Sequence, residues 1–434
     1  MKKKVLSLVL GVSMVASLLA GCGSKNTANT ANTTETTEKT ETADAEKGGK
    51  TITYWCMWES TEAQGKAISE AVAAYEAATG NKVDLQFKGR TGIREGLQPA
   101  LDAGTNIDLF DEDIDRVNGT WGKYLLDLED LVKTSGYEET ANAGLMQACR
   151  DVAGGTLKSI PYQPNVYAFF YNQEIFDKAG VTAVPTTWDE LLAACEKIKA
   201  AGFIPITCDD AYITCMIGYH LSRLIGEKAT EDLINNGDWA ENPAALQMAQ
   251  AYEELASKGY FSEYIDSNVW PSGQNVELAG GQAAMYLNGS WLPNEVLETT
   301  GPDFKWGCFS YPDCGGVDGV EASNFGAQVY AINKDTKVAP EAFELIQYIT
   351  KGEFDQKMSQ LSTGIPADTT NTEWPTMLSA VQPVLNSLTT RYAWAAGAEC
   401  NADMTPIIKG NFLKLCGGKL TAQQFIDEME AASK

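Results

Sequence analysis

Strand and helix signals alternate from the start of the globular stretch, and this order constrains the fold more than any other feature of the chain. Residues 51–55, 82–87 and 107–110 have the apolar and alternating composition of strands. Apolar side chains spaced i, i+4, i+7 over residues 68–75 predict a helix, which Gly80 is placed to end. Strand–helix–strand order implies parallel strands with helices packed on both faces, so an α/β fold is expected.

The same order returns further along the chain. Residues 166–171 and 204–207 are predicted strands, and between them Thr187 and Glu190 form the sequence signature of a capping box that opens a helix. A later strand is predicted at 329–332, further helices at 243–257, 340–350 and 421–431, and mainly helix after Trp374. The stretch from about residue 50 to 434 exceeds the usual size of one hydrophobic core, so two lobes are expected.

The N-terminus has the layout of a secretory signal peptide. Three lysines are followed by the apolar run 5–19, which is too short to span a membrane, and then by Leu19-Ala20-Gly21-Cys22. This last motif resembles the bacterial lipobox, which implies cleavage before Cys22 and lipid attachment to its thiol; an uncleaved membrane anchor is the alternative. Residues 1–21 are therefore interpreted as a lipoprotein signal peptide. Residues 22–50 contain almost no large apolar side chain and are expected to be a disordered tether.

Composition excludes several classes of function. The formal charge of −25 argues against nucleic-acid binding, because there is no basic patch to displace counterions. The one histidine, His220, lies in an apolar stretch, and no G-x-S-x-G, phosphate loop or dinucleotide fingerprint is present. The cysteines lack metal-site spacing. We therefore expect no cofactor and no metal, and no activity of the serine-hydrolase, nucleotide-dependent or metal-dependent kind.

The cysteine count bears on disulfide bonding. If Cys22 carries lipid, an odd number of the ten cysteines remains, so at least one is unpaired. Several, such as Cys195, lie inside apolar helical patterns, where cysteine acts as a small hydrophobe. Cys308 and Cys314 are close enough in sequence to bridge a short loop, and the sequence leaves open whether they do.

Residues 282–291 carry the strongest functional signal. Residues 282–287 are apolar and uncharged and predict a buried strand; Gly289 then predicts a turn, just before Trp291. A tryptophan placed just past a strand end can face a cleft with a flat, rigid surface. The alternative is that Trp291 is an ordinary packing residue.

Four blocks in this order resemble the extracellular solute-binding proteins of carbohydrate-uptake ABC importers. The blocks are Ile160-Pro161-Tyr162 with Phe170 to Gly180, Val184 to Leu191, Gly281 to Trp291, and Ala331 to Lys334 followed by Ala339 to Phe343. Together they cover about residues 51–434. The resemblance implies a two-lobed α/β fold in which each lobe is a mostly parallel sheet flanked by helices. Lobe 1 would be residues 51–160 plus 325–368, and lobe 2 residues 161–324 plus 369–434.

The resemblance also implies a function. The protein is expected to be a lipid-anchored monomer on the extracellular face of the cell membrane. It would capture a sugar or oligosaccharide in the cleft between the lobes and deliver it to the permease subunits of an ABC importer. A binder of a polyamine or peptide, and a glycan-cleaving enzyme that uses two carboxylates, are the alternatives. The acidic residues are too numerous for the sequence to exclude the enzyme.

A sugar site needs aromatic plates and polar side chains, and in open α/β sheets ligands bind beyond the carboxyl ends of strands. A calcium loop at residues 111–116 is disfavoured, because Arg116 stands where a glycine is required and Gly122 where the bidentate glutamate belongs. Arg391 and Trp394 are weaker candidates and are not included. The predicted ligand-binding residues are Trp58, Glu59, Asp113, Tyr162, Gln163, Trp291 and Asn324.

Overall fold

Alternating burial explains the first strand. Along Thr51–Cys56 every second side chain is buried, beginning with Ile52. The helix that follows ends at Gly80, whose left-handed backbone (φ +76°) suits a residue without Cβ.

The computed structural model describes residues 49–434. The predicted signal peptide, Cys22 and the tether up to residue 48 lie outside the described residues.

The described part of the chain contains nine strands: β1 (Thr51–Cys56), β2 (Lys82–Phe87), β3 (Leu109–Asp113), β4 (Ile160–Asn172), β5 (Ile204–Ile206), β6 (Ala283–Gly289), β7 (Trp306–Phe309), β8 (Ala322–Ile332) and β9 (Thr390–Tyr392). They form one mixed sheet in the order β2-β1-β3-β8-β4-β6-β5, with β7 paired to β4 and β9 paired to β8. Neighbours β1–β2, β1–β3, β5–β6 and β8–β9 are parallel, whereas β4 runs antiparallel to β6, β7 and β8, and β3 runs antiparallel to β8.

Helices flank the sheet, and their caps follow the sequence signals. The predicted capping box is present, because Thr187 accepts from the backbone of Glu190 and the Glu190 side chain reaches back. The helices are α1 (Ala63–Thr79), α2 (Gly89–Asp102), α3 (Ile114–Thr120), α4 (Glu129–Ser135), α5 (Ala143–Val152), α6 (Gln173–Ala179), α7 (Trp188–Ala200), α8 (Ile213–Ile225), α9 (Glu227–Asn236), α10 (Pro243–Ser257), α11 (Leu292–Glu295), α12 (Leu297–Thr300), α13 (Ala339–Thr350), α14 (Gly352–Ser362), α15 (Val381–Ser387), α16 (Thr405–Cys416) and α17 (Ala422–Ala432).

Strands β4 and β8 are the long elements that join the two halves of the sheet. The first half of β4 pairs with β8 up to Val166, and from Tyr167 onward β4 pairs with β6 and then β7. The ladder between β4 and β8 shifts register between Tyr162 and Pro164, which leaves Gln163 as an extra residue in β4. A bulge at this place bends the strand that connects the two halves.

One predicted boundary differs for a clear physical reason. Residues 111–113 were expected in a loop after the third strand, but they continue β3. The buried carboxylates of Asp111 and Glu112 have partners from other elements: Tyr54 for the first, Arg94 and Arg116 for the second. The buried charge of Glu112 is tolerated because two arginines pair with it, and the buried Asp111 carboxyl is tolerated because it is hydrogen-bonded. The short strand β9 was not predicted, and it interrupts the helices expected after Trp374.

The cysteines within residues 49–434 are all unbonded, so Cys308 and Cys314 do not form a bridge in this structure. Cys308 is buried on β7, whereas the Cys314 thiol lies 3.7 Å from His220 Nδ1. Most of the others are buried, as expected of cysteine used as a small apolar side chain.

Candidate functional site

A cleft of about 340 Å³ opens beside the middle of β4. The loop after β1, the start of α2, the bulged part of β4, the turn after β6, β8 and the end of α14 supply its walls. Three of the residues predicted from the sequence line it, namely Trp58, Gln163 and Trp291. A larger cavity of about 480 Å³, bordered by α7, α8 and α10, contains none of the predicted residues, so we assign the site to the cleft.

Trp291 forms one wall of the cleft and lies against Gly289. A Cβ placed on Gly289 would come within 2.2 Å of Trp291 Cη2, so the indole occupies the space of the missing side chain. The strand therefore continues to Gly289, and the turn begins at Ser290 instead of at the glycine as the sequence suggested. The indole Nε1 donates to the Tyr212 hydroxyl at 3.3 Å, which fixes the orientation of the ring.

A second tryptophan accompanies Trp291. The ring of Trp394 lies 6.4 Å from that of Trp291, centroid to centroid, with the planes only 25° apart. Its Nε1 donates to Glu399 at 3.0 Å. Trp394, which sequence reasoning ranked among the weaker candidates, thus extends the aromatic surface beyond the cleft wall.

Trp58 lines the cleft but is only 5 % exposed. The guanidinium of Arg90 lies 4.4 Å from the centre of its ring and covers one face. Arg90 in turn donates to Glu62 at 2.9 Å. The indole therefore holds Arg90 and Glu62 at the cleft surface, and the ring face that Arg90 covers is not free to stack on a ligand.

Tyr162 lies behind Trp58. Its hydroxyl accepts from Trp58 Nε1 at 2.7 Å and donates to Asp111, which also accepts from the Tyr54 hydroxyl at 2.9 Å and the Met57 amide at 3.1 Å. Burial raises the pKa of Asp111 to about 7, although these hydrogen bonds oppose the shift. The predicted contact of Tyr162 with the cleft is replaced by a hydrogen bond that positions Trp58.

Gln163 occupies the bulge of β4 with a left-handed backbone (φ +45°), which is uncommon for a residue other than glycine. Its Nε2 donates to Ser362 Oγ at 2.6 Å, and its Oε1 accepts from Gln64 at 3.3 Å. The bulge thereby turns the amide into the cleft, where it joins the start of α1 to the end of α14.

The charged groups of the cleft are mainly acidic. Glu62 is paired with Arg90. Among residues 49–434, Glu295 accepts a side-chain hydrogen bond from Gln274 Nε2 at 3.0 Å and has no cationic partner, and burial raises the pKa of Glu295. Close to this wall, burial raises the pKa of Asp209 to about 6, against its hydrogen bond from Tyr286. Carboxylates held in partly buried positions are strong acceptors for hydroxyl groups.

The structure does not bring Glu59, Asp113 or Asn324 to the cleft lining. Glu59 is exposed and lies over Gly89, where a Cβ would meet its carboxylate at 2.2 Å. Asp113 caps α3 by accepting from the backbone amides of residues 115 and 116. Asn324 is buried on β8 and donates to the backbone oxygen of Tyr392 at 2.8 Å. Each side chain is committed to a local contact that sequence position alone does not reveal.

Sequence reasoning missed Arg90, Glu295 and Gln328, all of which line the cleft. Gln328 is informative because its Oε1 is buried without a hydrogen-bond partner among the described residues. The charge of Arg90 and Glu295 alone gave no signal in the sequence. For Glu295 its position did give one, because residue 295 lies four positions after Trp291, a spacing that would place both side chains on the same side of a helix.

Within residues 49–434, no group of three or more His, Cys, Asp or Glu side chains is arranged to hold a metal ion. Every helix in the described part of the chain falls short of the length and apolarity that crossing a bilayer requires.

Comparison with known proteins gives a family and a fold. Residues 70–379 match the family described as bacterial extracellular solute-binding protein. A putative binding protein of Brucella abortus is 24 % identical over 343 residues, 75 % of this chain and 77 % of the relative. The multiple sugar-binding protein of Streptococcus mutans is 27 % identical over 209 residues, 46 % of this chain and 48 % of the relative. A solved solute-binding protein in complex with raffinose has a TM-score of 0.63 at 20 % identity, with 88 % of this chain and 98 % of that chain covered.

Proposed function

We propose that this chain, which belongs to the family of bacterial extracellular solute-binding proteins, captures a sugar or oligosaccharide in the cleft and delivers it to the permease of an ABC importer. The observation that carries the proposal is the cleft wall at Trp291, where an indole fixed by Gly289 and Tyr212 stands beside the carboxylate of Glu295. The name of the Streptococcus mutans relative supports a sugar as ligand.

The chemistry of a sugar explains why this wall suits it. A sugar ring has apolar C–H faces that pack on an aromatic plate, and hydroxyls at its rim that each need a hydrogen-bond partner. Trp291 would supply the plate. Glu295, Gln163 and Arg90 would bind the hydroxyls, and Gln328 offers an acceptor that the protein itself does not use. Trp58 would act by holding Arg90 in place.

The lobe assignment is part of the same proposal. Residues 51–160 plus 325–368 would form one lobe and residues 161–324 plus 369–434 the other, with β4 and β8 as the connecting strands. The bulge at Gln163 lies in one of these connections and its side chain lines the cleft, so ligand binding and lobe closure would act on the same residue. Closure of two lobes on a ligand is a known hinge motion of binding proteins.

We also propose that the chain is exported as a lipoprotein monomer anchored through Cys22. The basic, apolar and lipobox-like segments at the N-terminus support this proposal. The test is fractionation of cells that express the full chain or a Cys22→Ala variant. The unmodified chain should remain with the membranes, and the variant should lose the anchor; equal partitioning of the two would contradict the proposal.

The ligand is proposed to be captured without turnover. The carboxylates near Trp291 also suit a polyamine, so spermidine belongs in the ligand screen beside mono- and oligosaccharides. A saccharide that raises the melting temperature by mass action, with no new reducing ends after incubation, is the expected result. Stabilisation by spermidine alone, or release of reducing ends, would contradict the proposal.

The decisive variant is Trp291→Ala. Truncation of an aromatic anchor is expected to weaken saccharide binding by about 2 kcal/mol, or roughly 30-fold, in calorimetric titration. Trp306→Ala is the matched control, because Trp306 is half-buried on β7 and does not line the cleft. Equal affinities of the Trp291→Ala variant and the unmodified protein would remove this wall from the site.

A further inference from the structure

Exposed apolar side chains are concentrated in one short segment of the chain. Tyr264, Val269, Trp270 and Val276 are between 46 and 60 % exposed, and they lie within thirteen consecutive residues. We call these four side chains the outer patch. Large apolar groups scattered singly on a surface are ordinary, whereas four within thirteen residues are a candidate binding surface.

The outer patch is built onto the same framework as the cleft wall. The Trp270 amide donates to Asp210 Oδ1 at 2.8 Å, and Asp210 lies two residues before Tyr212, which holds the Trp291 indole. A second link runs from Gln274, beside the patch, to Glu295 in the cleft at 3.0 Å. The segment that carries the patch is therefore linked by hydrogen bonds to the wall that carries Trp291.

Hydrogen bonds hold the segment in a fixed position. The Asn268 side chain donates to the backbone oxygen of Cys208 and to Glu277, both at 3.2 Å, and its backbone oxygen accepts from Asp210 at 3.1 Å. The segment is thus pinned to the chain that follows β5. A pre-positioned surface binds a ligand at a lower entropic cost than a loop that must first be ordered.

We infer that Trp270 and its neighbours bind the outer units of an oligosaccharide whose inner end lies in the cleft, so that the protein prefers longer chains. This inference rests on the proposed function. An aromatic face with amide and carboxylate groups nearby suits a neutral sugar for the same reasons as the wall at Trp291. Trp270 would then be a specificity-determining residue for chain length.

Charge disfavours a lipid surface as the occupant. No lysine or arginine occurs between Lys258 and Lys305 in the sequence. Glu263 immediately precedes the patch segment, and Asp266 within it is paired with Lys419, so the segment carries no unpaired basic charge of its own. Anionic headgroups attract basic segments and would be repelled here. An uncharged oligosaccharide has no such penalty.

The test is calorimetric titration of the full chain with malto-, xylo- and chito-oligosaccharides of one to six units. In the series that binds, affinity should increase with chain length. The Trp270→Ala variant should lose about tenfold in affinity for chains of four or more units, and should bind the shortest ligand as the unmodified protein does. Val317→Ala is the control, since Val317 is also an exposed apolar side chain and lies outside the patch segment.

Three results separate the possible failures. If the unmodified protein binds no saccharide, the proposed function itself fails. If saccharides bind and Trp270→Ala has the affinity of the unmodified protein at every chain length, the inference about the outer patch is overturned and the proposed function stands. If that variant binds normally but no longer supports sugar uptake by cells, the patch contacts the permease and the inference is also overturned.

Discussion

Replacing Gly289 with alanine should displace the Trp291 ring without removing it. The added Cβ would lie 2.2 Å from Cη2 and 2.3 Å from two further ring carbons of Trp291, whereas carbon atoms pack best at about 3.5–4.0 Å. The ring must therefore retreat by roughly 1.5 Å. Overpacking of this kind costs about 1–3 kcal/mol, partly offset by up to about 1 kcal/mol from replacing a strand glycine.

Urea unfolding and calorimetric titration measure the two consequences. We expect Gly289→Ala to lower the free energy of unfolding by about 1–2 kcal/mol and to weaken saccharide binding at least tenfold. Gly410→Ala is the matched control, because nothing lies within 4 Å of the new Cβ in helix α16 and alanine is the better helix former.

A double-mutant cycle decides whether the clash is the cause. In a Trp291→Ala background the added methyl group meets no ring, so Gly289→Ala should there be neutral or stabilising by up to about 1 kcal/mol. The two substitutions should therefore be coupled by at least about 1 kcal/mol. Additive effects on stability would refute the proposed seating of Trp291 on Gly289.

Three further outcomes are expected. The pKa of Asp111 is about 7 in the folded protein, above its usual 3.8, so the stability that this carboxyl contributes is greatest at low pH and is lost as pH rises through about 7. Asp111→Asn should therefore make the melting temperature depend less on pH over this range. An unchanged pH dependence of the melting temperature would contradict the burial argument. Arg223 is fully buried and donates to Tyr392 and to three backbone oxygens. Lysine lacks the planar guanidinium that makes these bonds, so Arg223→Lys should lower the free energy of unfolding by about 2 kcal/mol or more. A loss below about 0.5 kcal/mol would show that these hydrogen bonds contribute little to stability. Cys400 is the one exposed thiol among the cysteines at residues 49–434, so a thiol reagent should modify it fast in the native protein, and Cys400→Ser should abolish that phase.

Local signals in the sequence were sufficient where the structure depends on local contacts. The capping box at Thr187, the helix end at Gly80 and the helix at residues 243–257 all follow from neighbours within a few positions. The strand before Trp291 was also predicted. The end of this strand was not predicted, because Gly289 leaves room for the ring of Trp291 and does not form the turn.

The parts of the site that the sequence did not reveal depend on distant contacts. Trp58 lies at the cleft lining, but Arg90 covers its ring from helix α2. Tyr162 is directed inward because Asp111 and Trp58, at distant positions in the chain, both bond to its hydroxyl. Pairing between segments about 50 and 100 residues apart leaves no periodic signal in either of them.

The most direct test of the proposed sugar site is a crystal structure of the protein with the saccharide that most raises its melting temperature. We predict a sugar ring stacked on the Trp291 indole, with hydroxyls bonded to Glu295 and to the unpartnered amide oxygen of Gln328. A saccharide bound elsewhere, with Trp291 packed against protein on both faces, would contradict it.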